Sequence, residues 1–172
     1  GMKIGIMGGT FDPIHNGHLM LGQAAYEAFG LDEVWFLPNG NPPHKESSRI
    51  EASAKERVEM TRLAVSEIPY FRVEPYEAER DEVSCTWQTL EYFRGKYPDD
   101  QMFFIIGADS LFTIERWIHP ERIFPLCTIL AAYRDEINSR ELMEEQIHRL
   151  KDKYHADVRL LITPLLHVAS HE

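Results

Sequence analysis

The sequence has few cysteines and no long apolar run. Its two cysteines, Cys85 and Cys127, lie far apart in the chain, and neither has a His or Cys partner at the spacing of a zinc site. This argues against a disulfide framework, and we predict no metal site built by the protein alone. No apolar stretch approaches the roughly 18 residues of a membrane span, and the first residues lack the basic and apolar regions of a secretory signal. We therefore expect a cytoplasmic protein without a membrane partner.

Positive charge is scarce relative to negative charge. The chain has 18 Lys and Arg residues against 28 Asp and Glu residues, which gives a formal net charge of -10 at pH 7. This charge repels a polyanion over long range, and the basic residues do not cluster in the sequence, so we expect no nucleic-acid partner. A small phosphate-bearing ligand remains compatible, because backbone amides, imidazoles and one or two cations bind it locally.

The pattern of apolar residues predicts a single domain over residues 2–172. Short apolar runs alternate with amphipathic stretches, which is typical of βαβ units. The predicted fold class is α/β, with a doubly wound, mostly parallel sheet of about six strands and helices on both faces. The predicted strands are residues 3–7, 33–37, 72–75, 102–106, 128–132 and 157–162. The predicted helices are residues 17–29, 54–68, 87–96, 110–117 and 140–154, with Asn16 capping the first and Ser53 and Glu56 forming a capping box on the second.

An irregular loop is predicted after the second strand. Residues 38–45 contain three prolines and one glycine, which prevent regular structure. Because the loop follows a strand, we expect it at the carboxyl edge of the sheet, where open α/β folds bind ligands. Asn39 and His44 lie in this loop and are candidate ligand-binding residues.

The segment from Gly8 to His18 carries the chemistry that the sequence predicts. Gly8 and Gly9 end the first strand, where missing side chains let the backbone approach a ligand. The next helix begins near Asn16, so its unpaired N–H groups and positive dipole end face the same space. His15 and His18 are three residues apart and can reach one anion from one side, each donating from a ring nitrogen. A protonated ring would also offset charge that builds up on a phosphoryl group.

Other phosphate-binding motifs do not fit this segment. It has neither the Gly-x-Gly-x-x-Gly dinucleotide fingerprint nor a Walker loop ending in Gly-Lys-Ser/Thr, which disfavours kinase chemistry. A structural alternative remains, in which the glycines form a tight turn and the histidines are surface residues. The strand, loop and helix context favours the phosphate-binding interpretation.

These residues resemble the nicotinate mononucleotide adenylyltransferase family, within the nucleotidyltransferases that share a His-x-Gly-His element with class I aminoacyl-tRNA synthetases. The resemblance spans about residues 3–134 and implies a Rossmann-like nucleotidyltransferase fold. Its later motifs favour the pyridine-nucleotide branch over relatives that act on phosphopantetheine or glycerol phosphate. It is carried by Gly8-Gly9-Thr10-Phe11-Asp12-Pro13-Ile14-His15-Asn16-Gly17-His18-Leu19, Pro42-Pro43-His44-Lys45, Thr86-Trp87-Gln88-Thr89-Leu90, Gly107-Ala108-Asp109-Ser110-Leu111 and Arg116-Trp117.

The resemblance implies a reaction of NAD biosynthesis. The phosphate of nicotinate mononucleotide attacks the α-phosphorus of ATP, giving deamido-NAD and pyrophosphate, with Mg2+ accompanying ATP. A phosphate nucleophile is already ionised near neutral pH, so positioning and charge stabilisation suffice without a general base. By the same resemblance, His15 and His18 stabilise the transferring phosphoryl group. The implied ATP-binding residues are Gly8, Gly9, Thr10, Phe11, His18, Gly107 and Asp109, the last two at the adenosine ribose.

The resemblance also implies acceptor-binding roles, each of which has a simpler structural alternative. Lys45 would contact phosphate, although a lone loop lysine is usually solvated. Thr86 would hold the pyridine carboxylate, and it is also expected to cap the helix that follows. Trp117 would stack on the nicotinate ring or simply belong to the core. Arg134 would contact a phosphate or be an ordinary surface residue.

The C-terminal residues depart from the family pattern. Members usually follow the last strand with a phrase near Ile-Ser-Ser-Thr-x-Ile-Arg, which binds the outer phosphates of ATP. Residues 165–172 offer only Ser170 for this role, and the arginine and the closing helices are missing. Either the sequence is truncated, or the chain has lost part of its grip on the triphosphate. Without those donors we expect weaker ATP binding or slower turnover. Two other functions stay open: a nucleotide-binding module with little or no turnover, and an adenylyltransferase with another acceptor, such as phosphopantetheine.

Overall fold

The computed structural model describes residues 1–40 and 52–163. Within them, six strands form one sheet with every neighbouring pair parallel, in the order β3-β2-β1-β4-β5-β6. The strands are β1 (Lys3–Gly9), β2 (Glu33–Pro38), β3 (Phe71–Val73), β4 (Gln101–Ile106), β5 (Thr128–Tyr133) and β6 (Val158–Ile162). The helices are α1 (Asn16–Phe29), α2 (Ala54–Val65), α3 (Thr86–Lys96), α4 (Ala108–Thr113), α5 (Pro120–Ile123) and α6 (Arg140–Tyr154), and short 3-10 segments follow α4 and α5.

The sheet buries apolar side chains on both faces. In β1, alternate residues serve opposite faces, so Ile4 and Ile6 join one core cluster and Met7 joins the other. Helices α3 to α6 cover the first face, and α1 and α2 cover the second. A parallel sheet needs this double cover, and the predicted doubly wound α/β fold is confirmed. No helix in the described part of the chain is long and apolar enough to cross a membrane.

The ends of several elements differ from the sequence prediction. Strand β1 continues through Gly9, because β2 pairs with it as far as Pro38. Helix α2 ends at Val65, and α4 begins at Ala108 and gives way to a 3-10 segment. Helix α5 was not predicted, since its four residues are too few to show a helical period.

Of the three predicted helix caps, Ser53 is right, and Thr86 and Asn16 are wrong. Ser53 and Glu56 form the expected capping box, with reciprocal hydrogen bonds of 2.9 and 3.1 Å. Thr86 is not a cap, because α3 begins at Thr86 and its N-cap is Cys85. Gln88 explains the difference, since its side-chain oxygen accepts from the Cys85 N–H at 3.1 Å and stabilises the helix start one residue earlier.

The site position follows from the order of the strands. From β1 the chain winds through β2 to β3 on one side, and it then crosses to β4 and winds through β5 to β6 on the other. The carboxyl ends of β1 and β4, at Gly9 and Ile106, therefore meet at the point where the winding reverses. Ligands of doubly wound folds bind in the crevice outside such a point.

Glu115 joins the segment after α4 to helix α6. Its carboxylate accepts from Arg149 Nε at 2.9 Å, from Lys153 Nζ at 3.0 Å and from Tyr154 Oη at 3.1 Å. These hydrogen bonds, led by that of Arg149, lower the pKa of Glu115 to about 2. The folded state therefore favours the ionised carboxylate.

We expect Glu115→Gln to lower the melting temperature by about 2–4 °C at pH 7, a modest effect because both cations of the network, Arg149 and Lys153, are more than half exposed. The folded-state pKa, about 2, lies below the ordinary value of 4.5. The stabilisation is thus complete above about pH 4.5 and disappears as the pH falls towards 2. Thermal melts of the wild type and the variant from pH 7 to pH 2 should converge over this window. Glu145→Gln, an exposed change on the same helix, is the control, and a difference that does not depend on pH would contradict the prediction.

Candidate active site

His15 and His18 together form the N-terminal cap of α1. His15 Nδ1 accepts from the Gly17 N–H at 3.1 Å, and His18 Nδ1 accepts from the His15 N–H at 3.1 Å. The two rings lie with centroids 3.9 Å apart and planes inclined by 32°. The predicted cap, Asn16, is wrong, because α1 begins at Asn16 and His15 is the N-cap. An imidazole nitrogen here accepts the bond that a Ser, Thr, Asp or Asn oxygen usually accepts.

These capping bonds determine where both rings carry their proton. A backbone N–H donates to each Nδ1, so Nδ1 is unprotonated and the neutral ring has its proton on Nε2. Burial, with a smaller contribution from His15, lowers the pKa of His18 to about 4. His18 is therefore neutral near pH 7, which corrects the expectation that a protonated ring adds charge there. The Nε2–H of each ring remains a directional donor to a phosphoryl oxygen.

Phe11 supports the histidine pair from inside the protein. Its ring is 3% exposed and meets the His18 ring edge to face, with centroids 5.0 Å apart. The resemblance implies that Phe11 is an ATP-binding residue, but its side chain lies in the core, so only its backbone can face a ligand. Gly9 makes room for this ring, because an added Cβ would lie 3.0 Å from it. At Gly8 the nearest atom to an added Cβ is 3.9 Å away, so Gly8 leaves space for a ligand.

A buried arginine connects the three segments around the glycines. Arg57 of α2 has no exposed surface, and its Nη1 donates to Thr10 O at 2.7 Å and to Asn39 Oδ1 at 3.1 Å. Asn39 also donates from Nδ2 to Thr10 Oγ1 at 3.3 Å and from its N–H to Gly9 O at 2.9 Å. Burial lowers the pKa of Arg57, and nearby Asp12 acts to raise it. Sequence reasoning missed Arg57, because nothing local distinguishes it from a solvated helix arginine.

A cavity of about 300 Å³, the first cavity, opens beside Gly8 and Gly9 on the β2 side of the switch point. Trp117 lies in its wall and also packs edge to face against Phe104, with ring centroids 6.2 Å apart. Trp117 therefore packs against the core, as the structural alternative predicts, and it also lines the cavity, so its role as a stacking platform stays a prediction. The other polar and charged groups of the wall belong to Asn39, Glu77, Ser84, Thr86 and Thr89.

An adjoining cavity of about 300 Å³ shares Ser84, Thr86 and Trp117 with the first cavity. Ser84 Oγ is buried and has no hydrogen-bond partner within the described ranges. A buried hydroxyl of this kind calls for an explanation, and a bound ligand would supply one. Sequence reasoning missed Ser84, which looks like an ordinary loop serine two residues before α3.

The second cavity, of about 500 Å³, lies on the β4 and β5 side of the switch point. Gly107 is the N-cap of α4, and Asp109 lies in the first turn of that helix. Arg134 follows β5 directly, and its N–H donates to Asn138 Oδ1 at 2.9 Å. Together with Gly17 at the start of α1, these residues line one space. The fold thus places Arg134, which the resemblance implies as an acceptor contact, beside Gly107 and Asp109, which it implies as ATP contacts.

Three other predicted contacts lie outside the described residues. These are His44 and Lys45 of the proline loop and Ser170 of the C-terminal segment. Among residues 1–40 and 52–163, no three His, Cys, Asp or Glu side chains group closely enough to hold a metal ion.

Comparison with known proteins places the chain in a family. A family model described as cytidylyltransferase-like matches residues 6–164. A protein of Lachnoclostridium phytofermentans named "Probable nicotinate-nucleotide adenylyltransferase" is 41% identical over 168 residues, which cover 98% of this chain and 83% of that protein. The nicotinate-nucleotide adenylyltransferase of Bacillus subtilis is 43% identical over 132 residues, which cover 77% of this chain and 69% of that protein.

A solved structure agrees in fold with this chain. Plasmodium falciparum nicotinic acid mononucleotide adenylyltransferase complexed with NaAD superposes with a TM-score of 0.77, over 96% of this chain and 77% of that one. Its sequence identity of 18% supports the fold alone. The family model and the bacterial relatives also show the family. With most of its length matched by both, the chain belongs to the cytidylyltransferase-like family, among its nicotinate-nucleotide adenylyltransferases.

Proposed function

We propose that this enzyme transfers the AMP part of ATP to nicotinate mononucleotide, forming deamido-NAD and pyrophosphate. The observation that carries the proposal is the position of the histidine pair at the start of α1, in the crevice where β1 and β4 part. One cavity opens beside Gly8 and Gly9, and another opens beside Gly107 and Gly17. Two substrates can therefore approach the histidine donors from opposite sides, as a transfer between two nucleotides requires.

In this proposal the second cavity takes ATP. The Asp109 carboxylate accepts hydrogen bonds from the ribose hydroxyls, and the backbone at Gly107 leaves space for the nucleoside. Arg134, at the carboxyl end of β5, contacts a phosphate group. The amides at the start of α1, near Gly17, face the phosphates together with the positive end of the helix dipole.

The first and adjoining cavities then take nicotinate mononucleotide. Trp117, which lines both cavities, stacks on the pyridine ring. The hydroxyls of Ser84 and Thr86, at the N-terminal end of α3, bind the ring carboxylate where the helix dipole favours negative charge. Asn39 stands at the phosphate end beside Gly9, and His44 and Lys45 of the same loop are proposed as further phosphate contacts.

The chemistry needs donors more than bases. The attacking phosphate is ionised near neutral pH, and the Nε2–H groups of His15 and His18 donate to the phosphoryl group as its charge redistributes. Backbone amides from Gly8 to Thr10 hold the same group. Mg2+ would enter with ATP and would neutralise phosphate charge. It usually binds through substrate phosphates, one or two carboxylates and water.

Purified enzyme with ATP and Mg2+ tests the proposal through pyrophosphate release with each of three acceptors. We expect release with nicotinate mononucleotide, slower release with nicotinamide mononucleotide and none with phosphopantetheine. Turnover with phosphopantetheine alone would overturn the acceptor assignment. Saturable ATP binding without pyrophosphate from any acceptor would instead identify a nucleotide-binding module.

A further inference from the structure

Glu77 is an acidic side chain in the wall of the first cavity to which the reaction described above gives no role. It lies in the segment between β3 and α3 and is partly buried. Thr89 Oγ1 donates to Glu77 Oε2 at 2.6 Å. Thr89 is 1% exposed on α3, so this bond ties the carboxylate to a fixed point of the core.

The carboxylate lacks a close positive partner within the described ranges. Burial raises the pKa of Glu77, and the Thr89 hydrogen bond and the more distant Arg80 act to lower it. Arg80 directs its guanidinium at Tyr76 Oη and Glu82. Thr89 has a single hydroxyl proton, which it gives to Oε2, and no described residue donates to Oε1. A partly buried carboxylate without a close cation, and with one oxygen that accepts no hydrogen bond from the described residues, costs free energy. A ligand that donates a hydrogen bond to it would offset this cost.

The chemistry of the acceptor limits what this carboxylate can bind. Nicotinate mononucleotide is negatively charged at both ends, at its phosphate and at its ring carboxylate, and Glu77 would repel either. Its middle part is different, because the ribose carries two hydroxyl donors and the ring nitrogen attached to the ribose is positively charged. Both features attract a carboxylate.

The cavity has room for this arrangement. Its wall includes Gly8 and Gly9, proposed for the phosphate end, and Thr86 and Trp117, proposed for the ring end. We propose that the Glu77 carboxylate binds the acceptor ribose, accepting hydrogen bonds from its hydroxyl groups close to the positively charged ring nitrogen. This inference rests on the proposed function and adds a residue that determines acceptor affinity.

The test is steady-state kinetics of Glu77→Gln and Glu77→Ala with nicotinate mononucleotide and ATP varied in turn. We expect KM for the acceptor to rise about tenfold to a hundredfold, the usual effect of losing a hydrogen bond to a charged group. We expect kcat and KM for ATP to change less than about twofold, because Glu77 contacts neither ATP nor the transferring group. Glu79→Gln, an exposed acid in the same segment, is the matched control and should leave all three constants unchanged.

An acceptor without ribose hydroxyls separates binding from a purely structural role. The wild type should bind 2′,3′-dideoxy nicotinate mononucleotide more weakly than nicotinate mononucleotide. Glu77→Ala should bind the two acceptors almost equally, since the hydrogen bond between the carboxylate and the ribose is already absent in this variant. Calorimetric titration without ATP measures the dissociation constant of each acceptor for the wild type and for Glu77→Ala, and so makes the same comparison without turnover. If Glu77→Ala does not fold, the isosteric Glu77→Gln decides alone.

The outcomes distinguish the two proposals. An active wild type with an unchanged acceptor KM in Glu77→Gln overturns the role of Glu77 and leaves the proposed function standing. Equal loss of affinity for the dideoxy acceptor in the wild type and Glu77→Ala also overturns it. A wild type that neither turns over nor binds nicotinate mononucleotide overturns both.

Discussion

Replacing His18 with alanine is expected to lower kcat by a factor of about 10² to 10³, the usual effect of removing one donor aimed at a charged transition state. The Nε2–H of His18 is the donor that this change removes, while its Nδ1 only accepts the His15 N–H at 3.1 Å. Loss of that capping bond should cost about 1 kcal/mol of stability, which leaves the protein folded. Pyrophosphate release under saturating substrates measures the first effect, and thermal melting measures the second.

Two further substitutions at this position separate the cap from the donor. Asparagine can accept the His15 N–H but does not reach as far as Nε2, so His18→Asn should keep the stability and lose the activity. Glutamine places an amide N–H near the position of Nε2, so His18→Gln should recover about tenfold over alanine. His148→Ala on α6, where the side chain is 75% exposed, should behave as the wild type. Full activity in His18→Ala would refute the proposed role of the histidine pair.

Replacing Arg57 with alanine is expected to reduce the free energy of unfolding by about 3 kcal/mol, because hydrogen bonds from a buried charged donor are lost. The bonds that reach the site go to Thr10 O at 2.7 Å and Asn39 Oδ1 at 3.1 Å, and a third goes to Ala52 O at 3.4 Å. Without them, the turn after Gly9 and the start of the proline loop lose their common anchor. Turnover should therefore fall beyond the effect on stability, since small displacements of a phosphate-binding backbone are costly.

A positive charge at position 57 is not expected to be sufficient for full stability and turnover. Lysine keeps the positive charge but lacks the planar fork that donates in two directions, so Arg57→Lys should be only partly stabilised. Arg62→Ala on the same helix removes a side chain that is 49% exposed and 3.6 Å from Glu59, and it should cost less than about 0.5 kcal/mol. Denaturant melts and kcat/KM for both substrates make the comparison. Equal stability of Arg57→Ala and Arg62→Ala would contradict the prediction.

Local sequence patterns predicted the elements well and their ends less well. The six strands and five longer helices follow from apolar periodicity, and the Ser53–Glu56 box follows from its spacing. The caps at Asn16 and Thr86 were wrong, because hydroxyl and amide residues are the usual caps, and here a histidine and a cysteine precede the helices. Which residue caps a helix depends on which side chain bends back to its first amides. Only the folded geometry decides that.

Within the candidate site, features that depend on neighbouring residues could be predicted from the sequence, and features that depend on contacts between distant segments could not. The sequence by itself determined the fold class, the histidine pair and the residues at the strand ends, because each depends on a few neighbouring positions. Only the tertiary structure decided that His18 is neutral and that Phe11 packs in the core. It also decided that Arg57 anchors Thr10 and Asn39 and that Ser84 and Glu77 line the first cavity. These properties depend on burial and on contacts between segments distant in sequence. No local pattern encodes them, since the same residues on an exposed surface would be solvated and would carry none of these roles.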